Sequence, residues 1–381
     1  MRRSMGAAGA MNWRRAAFSL AVIGAFSFGV PASAADPVEL KRGGTLQFYG
    51  QFTPSYLVFD DGLVQSKRTV DNSNSNSRIG VWYVRPYSWG KLSANLEIAF
   101  GVRQSATATQ NSTSSLFDDS RRSLRKAEVI WQSERWGTFY AGQGSMASDG
   151  VALQDLSGTS IVSSVGIADT AGSFFLRTTS GSLSVISIVS VFPSFDGGRG
   201  PRFRYDTPSF RGFVLSTSVG NKVETESVET DDSDVSVRFS RDWPLFKVVA
   251  AGAYTWKNSQ NRRSNQTVIG SVSVLHKPTG ISFSTSSGKR DTTGSYQFFK
   301  LGYEANFMRV GPSSISLDYY GASNMISDGS KSESVGFGVI QKFSNPRLEG
   351  YFSLRSYEYA DLTPVDYENA YSFLIGARWK F

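Results

Sequence analysis

The sequence predicts an all-β protein, a transmembrane antiparallel up-and-down β-barrel of 16 strands. Three observations predict this fold class. Apolar and polar residues alternate along most of the chain, short turns with Gly, Pro or Asn alternate with long polar loops, and the chain ends in an apolar stripe. Alternation with a period of two places one kind of side chain on each face of an extended strand.

The C-terminal strand shows this alternation most clearly. Its apolar or aromatic positions are Tyr371, Phe373, Ile375, Ala377, Trp379 and Phe381, and Ser372, Arg378 and Lys380 lie between them. A disordered tail would be polar and aperiodic, so the stripe predicts a strand with one face toward lipid. Strands cross a membrane only if every backbone N–H and C=O is paired, so the last strand must close on the first. The predicted residues of barrel closure and assembly are Tyr371, Phe373, Trp379 and Phe381.

The first 34 residues differ in composition from the rest of the chain. Four arginines, at positions 2, 3, 14 and 15, precede the apolar run AAFSLAVIGAFSFGV, and Ala32 and Ala34 form a small-residue cleavage site. This run is shorter than the ~20 apolar residues that a membrane-spanning helix requires. We therefore expect residues 1–34 to be a removed secretory signal peptide and residues 35–381 to form the outer-membrane barrel.

Composition narrows the function classes. The chain has no Cys and one His, His276, which argues against a disulfide framework and a multi-His metal site. We expect no metal and no cofactor. Removal of residues 1–34 lowers the formal charge from +8 to +4 by taking away four arginines, and the remaining charges are interspersed, so we expect no nucleic-acid partner. An outer-membrane hydrolase is the rival class, but His276 lies in a predicted short turn beside Lys277 and Pro278, so we expect no enzymatic function.

Internal strands repeat the pattern of the last one. Leu96 and Ile98 share one face, and Asn95 and Glu97 share the other. A β-sandwich is the alternative fold, but its buried face is commonly Val, Ile or Leu. Here aromatic residues concentrate toward strand ends, as the girdles at two membrane interfaces require. Examples are Tyr83, Phe100, Trp131, Trp256, Tyr319, Trp379 and Phe381.

The strand count depends on one hairpin. Sixteen segments alternate convincingly, whereas residues 173–192 carry apolar side chains on both faces, with Val185 and Val189 opposite Ile186 and Ile188. We interpret this hairpin as part of a long inward constriction loop over residues 144–200. An eighteen-stranded barrel is the alternative.

At this point the chain resembles the trimeric general porins of Gram-negative outer membranes, over residues 44–381. The matching pieces are LQFYGQ in the first strand, SRIGV at 77, LRKAEVIW followed by WGTFYAGQGS, RFRYDTPSFRGF at 202, and the closing strand that ends in Phe. The resemblance implies a sixteen-stranded barrel, a homotrimer in contact with outer-membrane lipid and lipopolysaccharide, and a third external loop folded into the lumen.

The resemblance also implies a pore constriction in which basic wall residues face acidic loop residues. Carried over by motif, the wall positions are Gln51, Arg78, Gln143 and Arg204, with Arg202 on the same face as Arg204. Gln51 and Gln143 are neutral where relatives often carry Lys or Arg. The candidate loop acids are Asp149, Asp155 and Asp169. Alternation independently places several charges in the lumen, because a lipid-facing charge at mid-bilayer would cost about 2–4 kcal/mol. These are Arg78, Lys126, Glu128, Arg238, Lys300, Arg355 and Arg378.

The predicted function is passive diffusion of small hydrophilic solutes and ions through a water-filled channel in the outer membrane of a Gram-negative bacterium. One alternative is a channel selective for a sugar or an anion, in which Trp82 and Tyr320 would guide the solute. Another is a structural or adhesive surface barrel. The acidic run between residues 224 and 234 either binds divalent cations or is a solvated loop; it comprises Glu224, Glu226, Glu229, Asp231, Asp232 and Asp234.

Overall fold

A computed structural model describes residues 36–41, 43–112, 117, 123–225, 228–259, 262–343 and 347–381, without the side chains of 222–230 and 259–263. The predicted signal peptide lies outside these residues.

The strands are β1 (Val38–Glu39), β2 (Thr45–Phe52), β3 (Pro54–Asp60), β4 (Gln65–Asp71), β5 (Arg78–Tyr87), β6 (Gly90–Ala99), β7 (Ser123–Ser133), β8 (Gly137–Ser145), β9 (Phe175–Arg177), β10 (Leu183–Ser187), β11 (Arg199–Asp206), β12 (Phe213–Thr225), β13 (Val228–Asp242), β14 (Phe246–Ser259), β15 (Arg262–His276), β16 (Ile281–Arg290), β17 (Ser295–Met308), β18 (Gly311–Ser323), β19 (Lys331–Lys342), β20 (Leu348–Ala360) and β21 (Ala370–Lys380). The short helices are η1 (Ser73–Ser75), η2 (Ser105–Thr107), α1 (Ala168–Ala171) and α2 (Ile188–Val191). No helix in the described part of the chain is long and apolar enough to cross a bilayer.

The strands form one closed antiparallel sheet. β2 and β3 run on as the first barrel strand, β4 and β5 form the second, and each later barrel strand pairs with the next. β21 pairs with both β3 and β2, which closes the barrel. β9 and β10 pair with each other in a separate two-stranded sheet. The described chain therefore confirms the predicted sixteen-stranded barrel, and the eighteen-stranded alternative is wrong.

The barrel closes at the last residue. The backbone N–H and C=O of Phe381 pair with Gly50, at 3.1 and 2.9 Å. The ring of Phe381 lies over Gly50 so closely that a Cβ there would approach it to 2.5 Å. Only glycine leaves room for this approach. Tyr371 and Trp379 lie exposed on the outer face of β21, and Phe373 is half-buried beside them.

The outer face of the barrel is apolar and the inner face is polar. Leu96 and Ile98 are exposed, whereas Asn95 and Glu97 are buried. The same division holds around the barrel, with outward Phe48, Phe52, Val235, Val237, Phe283, Leu317, Val335 and Leu354. An exposed belt of this composition is what contact with hydrocarbon requires, so the alternation in the sequence predicted the two faces correctly.

The apolar core lies inside the barrel. Residues 146–198, hereafter the inward segment, carry α1, α2, β9 and β10 and pack against the inner face of the wall. Phe174 of this segment stacks on Phe59 of β3, with ring centroids 4.3 Å apart. Phe192 packs on Tyr320 of β18 in a tilted arrangement, with ring centroids 5.6 Å apart. Side chains of the wall also hydrogen-bond the segment, for example Ser163 Oγ to Asp318 at 2.6 Å.

The β9–β10 hairpin is tied to the long loops at the barrel mouth. Arg177 donates from Nε and Nη2 to the two carboxylate oxygens of Asp61, each at 2.8 Å. The backbone N–H of Thr179 donates to the carbonyl of Asp366 at 3.0 Å. Burial raises the pKa of Asp61, but hydrogen bonds from Arg177 and from two backbone N–H groups outweigh it, so the pKa lies below its usual value. We call this contact the Arg177–Asp61 latch.

A second inward element was not predicted. The stretch DDGLVQSKRTVDNSNSN is hydrophilic and typical of a loop, but residues 65–71 form β4 and continue the line of β5. Residues 72–77 leave this line as a six-residue insertion that contains η1. Asn72 donates its amide to the carbonyl of Ile161 in the inward segment at 2.8 Å. The insertion therefore joins the wall to the inward segment.

Candidate functional site on the inner wall

Five cations lie side by side on the inner wall, on three strands of one continuous stretch of sheet. They are Arg78 on β5, Arg125 and Lys126 on β7, and Arg378 and Lys380 on β21, and we call them the basic strip. The register places Lys380, Gln51 and Arg78 in one row across β21, β2 and β5. The order of strands β21, β2, β5, β6 and β7 then brings the β7 cations next to Arg78.

Three carboxylates pair with the basic strip but are more buried than it is. Glu97 contacts Arg78 and Arg125 at 3.4 and 2.6 Å, and Glu349 contacts Arg378 and Lys380. The third carboxylate is Glu128, 3.8 Å from Lys126. The five cationic side chains keep 14–24% of their surface exposed, against 4–11% for these carboxylates. The cations are therefore the more exposed partners in these ion pairs.

Tyr49 holds Glu97 in place. Its hydroxyl donates to Glu97 at 2.9 Å and lies 3.0 Å from the amide oxygen of Asn95. A Cβ at Gly80 would lie 2.4 Å from the Tyr49 ring, so the glycine makes room for the ring. Sequence reasoning did not select Tyr49, although its place between Phe48 and Gly50 puts it on the inner face.

Gln51 braces the insertion rather than replacing a basic side chain. Its amide nitrogen donates to the carbonyls of Ser75 and Asn76 at 2.7 and 2.9 Å. Gln51 is 5% exposed and is therefore a buried, neutral side chain between the cations Lys380 and Arg78 on the inner wall.

Arg202 and Arg204 lie on the inner face, as alternation predicts, and their ion-pair partners lie on the wall itself. Arg202 pairs with Glu128, and Arg204 donates twice to Asp206, at 2.8 and 2.9 Å. Both guanidinium groups lie over the ring of Tyr140, at 5.5 and 5.1 Å. Within the described residues, the inward segment offers them backbone carbonyls such as that of Met146. Carboxylates of the wall itself thus pair with both arginines, and their expected place opposite the loop aspartates stays a prediction.

Gln143 points away from the lumen. It lies opposite Pro201 in the β8–β11 register, whereas Arg202 lies opposite Gly142. Residues opposite each other in antiparallel strands share a face, so Gln143 shares the outer face with the exposed Phe139 and Phe203. Its expected place on the constriction wall is therefore corrected. The inner position next to it is Gly144, where a Cβ would lie 2.4 Å from Glu128.

The three candidate loop acids have three different environments. Asp155 accepts from Nζ of Lys300 at 2.9 Å; burial raises its pKa, but Lys300 and Ser157 outweigh this and the pKa lies below its usual value. Asp149 lies 3.8 Å from Arg199, and its backbone carbonyl accepts from Arg238. Asp169 is half-buried in α1, and burial raises its pKa to about 6 against the opposing charge of Arg199.

A fourth acid, Asp196, was not predicted. Its carboxylate accepts from the backbone N–H groups of Gly150 and Ala152, each at 2.8 Å, and so holds the first turn of the inward segment. Burial and the nearby Asp149 raise its pKa to about 7. Asp196 follows the hairpin of residues 173–192 in a stretch without strand periodicity, so no sequence pattern indicated this role.

Residues 17–362 match the family model for Gram-negative porins. The chain belongs to the Gram-negative porin family. Three solved outer-membrane proteins have similar folds: an anion-selective porin from Comamonas acidovorans (14% identity, 89% of this chain and 100% of that chain, TM-score 0.58), OmpT of Vibrio cholerae in trimer form (15%, 89% and 100%, 0.55) and OprB of Pseudomonas putida (10%, 88% and 94%, 0.59). No curated protein sequence matches. This porin is thus an outer-membrane channel, and its family and fold are those of a channel rather than an enzyme.

Of the two aromatic side chains expected to guide a solute, Trp82 and Tyr320, Tyr320 has a structural role in this porin. Tyr320 is completely buried, stacks on Tyr296 with ring centroids 5.5 Å apart, and donates its hydroxyl to the carbonyl of Pro193. A passing solute cannot contact it, so this part of the solute-selective hypothesis is wrong. Trp82 is half-buried on β5.

Only part of the acidic run between residues 224 and 234 of this porin lies within the described residues. The side chains of Glu224, Glu226 and Glu229 lie outside the described residues. Residues 228–242 form β13 rather than a loop, and Asp234 points inward, where it accepts from the backbone N–H of Ser148 at 2.8 Å. No group of three or more His, Cys, Asp or Glu that could hold a metal occurs among the described residues.

Proposed function

We propose that this porin lets small hydrophilic solutes diffuse passively through the outer membrane and that it prefers anions. The observation that carries the proposal is the basic strip. Its five cations exceed the three carboxylates that pair with them, and they are the more exposed partners. A narrow passage lined by charge of one sign concentrates ions of the opposite sign.

We propose that the constriction opposite the basic strip is built from three segments that brace one another. Ser105 of η2 donates to the carbonyl of Asp169 at 2.6 Å, and the hydroxyls of Ser105 and Ser73 are 3.2 Å apart. The insertion, η2 and α1 thus form one unit in front of Arg78 and Arg378, since Arg378 donates to Ser75 of the insertion at 3.0 Å. In this arrangement, of the predicted site residues, Arg78 would line the wall of the passage and Gln51 would support the insertion in front of it.

The similar folds are compatible with this proposal. The Comamonas porin is described as anion-selective and the Vibrio OmpT as a trimer. We propose a homotrimer for this chain too, with the apolar outer face against lipid and lipopolysaccharide around it. Tyr371, Phe373, Trp379 and Phe381 would serve its closure and assembly. We further propose that residues 1–34 are removed on export, and N-terminal sequencing of the membrane-extracted protein tests that cleavage.

Reversal potentials in planar bilayers under a KCl gradient test the anion preference. The wild type should favour chloride, and the triple variant Arg78→Ala, Arg125→Ala, Lys126→Ala should shift toward cations, because the Glu97 and Glu128 charges then remain. The matched control is Lys67→Ala, Lys289→Ala, Lys331→Ala, which removes three exposed cations from the external ends of β4, β16 and β19. Unchanged selectivity in the first triple, or an equal shift in the control, would reject the basic strip as the selectivity element.

A further inference from the structure

The short turns at one end of the barrel carry cations around the whole circumference. Seven short connections join neighbouring strands at this end: six described turns, at residues 88–89, 134–136, 207–212, 243–245, 277–280 and 309–310, and residues 343–347, of which only 343 and 347 are described. Each contains an exposed Lys or Arg or has one within two residues of its strand ends. The seven exposed cations, which we call the cationic rim, are Lys91, Arg135, Arg211, Arg241, Lys277, Arg309 and Arg347. The acids in the same stretches are Glu134, Asp206, Asp242 and Glu349. Asp206 and Glu349 pair with Arg204 and Arg378 on the inner face, and Asp242 pairs with Lys277 of the rim.

The opposite end has the reverse charge in its fully described loops. With two residues of each strand end included, as for the rim, loops 61–64, 291–294, 324–330 and 361–369 contain seven acidic residues and three cations, Lys289, Arg290 and Lys331. Short turns of bacterial outer-membrane barrels face the periplasm and long loops face the outside. The cationic rim therefore lies at the periplasmic leaflet of the membrane.

Rim guanidinium groups lie on the aromatic side chains of the membrane interface. Arg135 lies over the ring of Trp136 at 4.8 Å, and Arg211 lies over Phe210 at 5.4 Å. These two rings are 57% and 70% exposed, as residues at a lipid boundary are. A cation–π contact keeps the guanidinium beside the ring, which is the depth at which lipid headgroups lie.

We propose that the cationic rim is a binding surface for anionic phospholipid headgroups of the periplasmic leaflet. Guanidinium groups pair with phosphate oxygens through two parallel hydrogen bonds, and Lys adds point charges. Outside the faces that the proposed homotrimer would cover, a rim at the level of the aromatic girdle fits a belt of lipids. A soluble acidic protein would need one flat patch beyond the girdle instead. Cations near an anionic membrane surface gain from its potential within about one Debye length.

Quenching of tryptophan fluorescence by brominated lipids tests the proposal. The full mature protein is folded into phosphatidylcholine vesicles that contain brominated phosphatidylglycerol or, separately, brominated phosphatidylcholine at the same mole fraction. Trp89, Trp136 and Trp243 lie in or beside rim turns and report on the lipid there. The wild type should prefer phosphatidylglycerol by about threefold, and the preference should vanish in 1 M NaCl, where the Debye length is ~3 Å.

Two variants of equal charge change locate the effect. Arg135→Gln, Arg211→Gln, Arg309→Gln should lose the preference, while Lys67→Gln, Lys289→Gln, Lys331→Gln at the other end should keep it. Single-channel conductance equal to the wild type shows that both variants have folded. Equal quenching by the two lipids in the wild type would overturn the proposal. Equal loss in both triples would also overturn it, because it would show a general charge effect. A third outcome would also overturn it. In this outcome the wild type shows no lipid preference but sediments with an anionic cell-wall polymer, and the rim variant does not.

Discussion

Lys300 of β17 donates to Asp155 of the inward segment across 2.9 Å, and the side chains are only 1% and 12% exposed. Lys300 also donates to the carbonyl of Ser163 at 2.6 Å. One wall side chain thus holds two points of the inward segment that are eight positions apart in the chain. The pair is therefore an anchor of this segment rather than a part of the passage.

Replacement of Lys300 by Met should loosen the inward segment. The carboxylate of Asp155 would remain buried without a counter-ion, which typically costs about 3–5 kcal/mol. Hydrogen exchange of the backbone around residues 155–163 should become faster, whereas exchange in β17 should change little. The double variant Lys300→Met, Asp155→Leu should recover part of the protection, because no charge is then left unpaired. Equal loss in the single and double variants would contradict a specific ion pair.

Loss of the Arg177–Asp61 latch should free the β9–β10 hairpin. Arg177→Ala should make residues 178–182 sensitive to limited proteolysis and should raise the noise of the open channel. The matched control is Asp366→Ala, because Asp366 contacts Thr179 through its backbone carbonyl. Since the pKa of Asp61 is lowered in the folded protein, the latch contributes stability above the ordinary Asp pKa of about 4 and loses it only in stronger acid. A wild-type hairpin that is cut as readily at pH 6 as at pH 3 would contradict this.

Acidification should strengthen the preference for anions. The pKa values of Asp169 and Asp196 are raised to about 6 and about 7, so both carboxyls are charged at pH 8 and neutral at pH 5. As the pH falls through this window, the inward segment loses negative charge. Reversal potentials between pH 5 and pH 8 measure the change. Asp169→Asn should remove the part of the shift near pH 6, and a shift toward cations in acid would refute the assignment.

Two glutamines that the sequence treated alike should behave differently. Gln51→Leu should destabilise the insertion by about 1–3 kcal/mol, because the carbonyls of Ser75 and Asn76 lose a buried donor. Gln143→Leu should be silent in ion selectivity and neutral or favourable in stability, since it adds an apolar side chain to the outer face. Urea unfolding in vesicles and reversal potentials measure both. A selectivity change in Gln143→Leu would show that the β8 register differs from the one described.

The barrel was predictable because its lipid contact imposes a rule on every spanning strand. Leu96 and Ile98 must be apolar and Glu97 must avoid lipid, so alternation alone gives both faces. β4 was missed because it lies at the external end, where neither face needs to be apolar, and its sequence therefore looks like a loop. The motif placed Gln143 on the inner wall. It lies four positions after Phe139 on the same strand, however, and alternation would have placed both side chains on the outer face.

The inner contacts were less predictable, because they depend on partners that are distant in sequence. Arg125 was not selected beside Lys126, since a bulge in β7 opposite Glu97 turns two consecutive residues inward. Nothing local distinguishes Asp155, which pairs with Lys300, from Asp149, which lies near Arg199. The pairing of Arg204 with Asp206, two positions along the same strand, was readable from alternation. The resemblance pointed to loop acids instead.

The contact of Phe381 with Gly50 has a consequence for biogenesis. Gly50 lies near the start of the barrel and Phe381 lies at the end of its closing strand, so β2 is exported long before β21. Until β21 arrives, the strands on either side of it remain two unpaired edges, which hydrocarbon does not tolerate. Insertion of the complete cylinder therefore has to wait for export of β21, and a chain that stalls before this strand would present an open edge to the proteases of the periplasm.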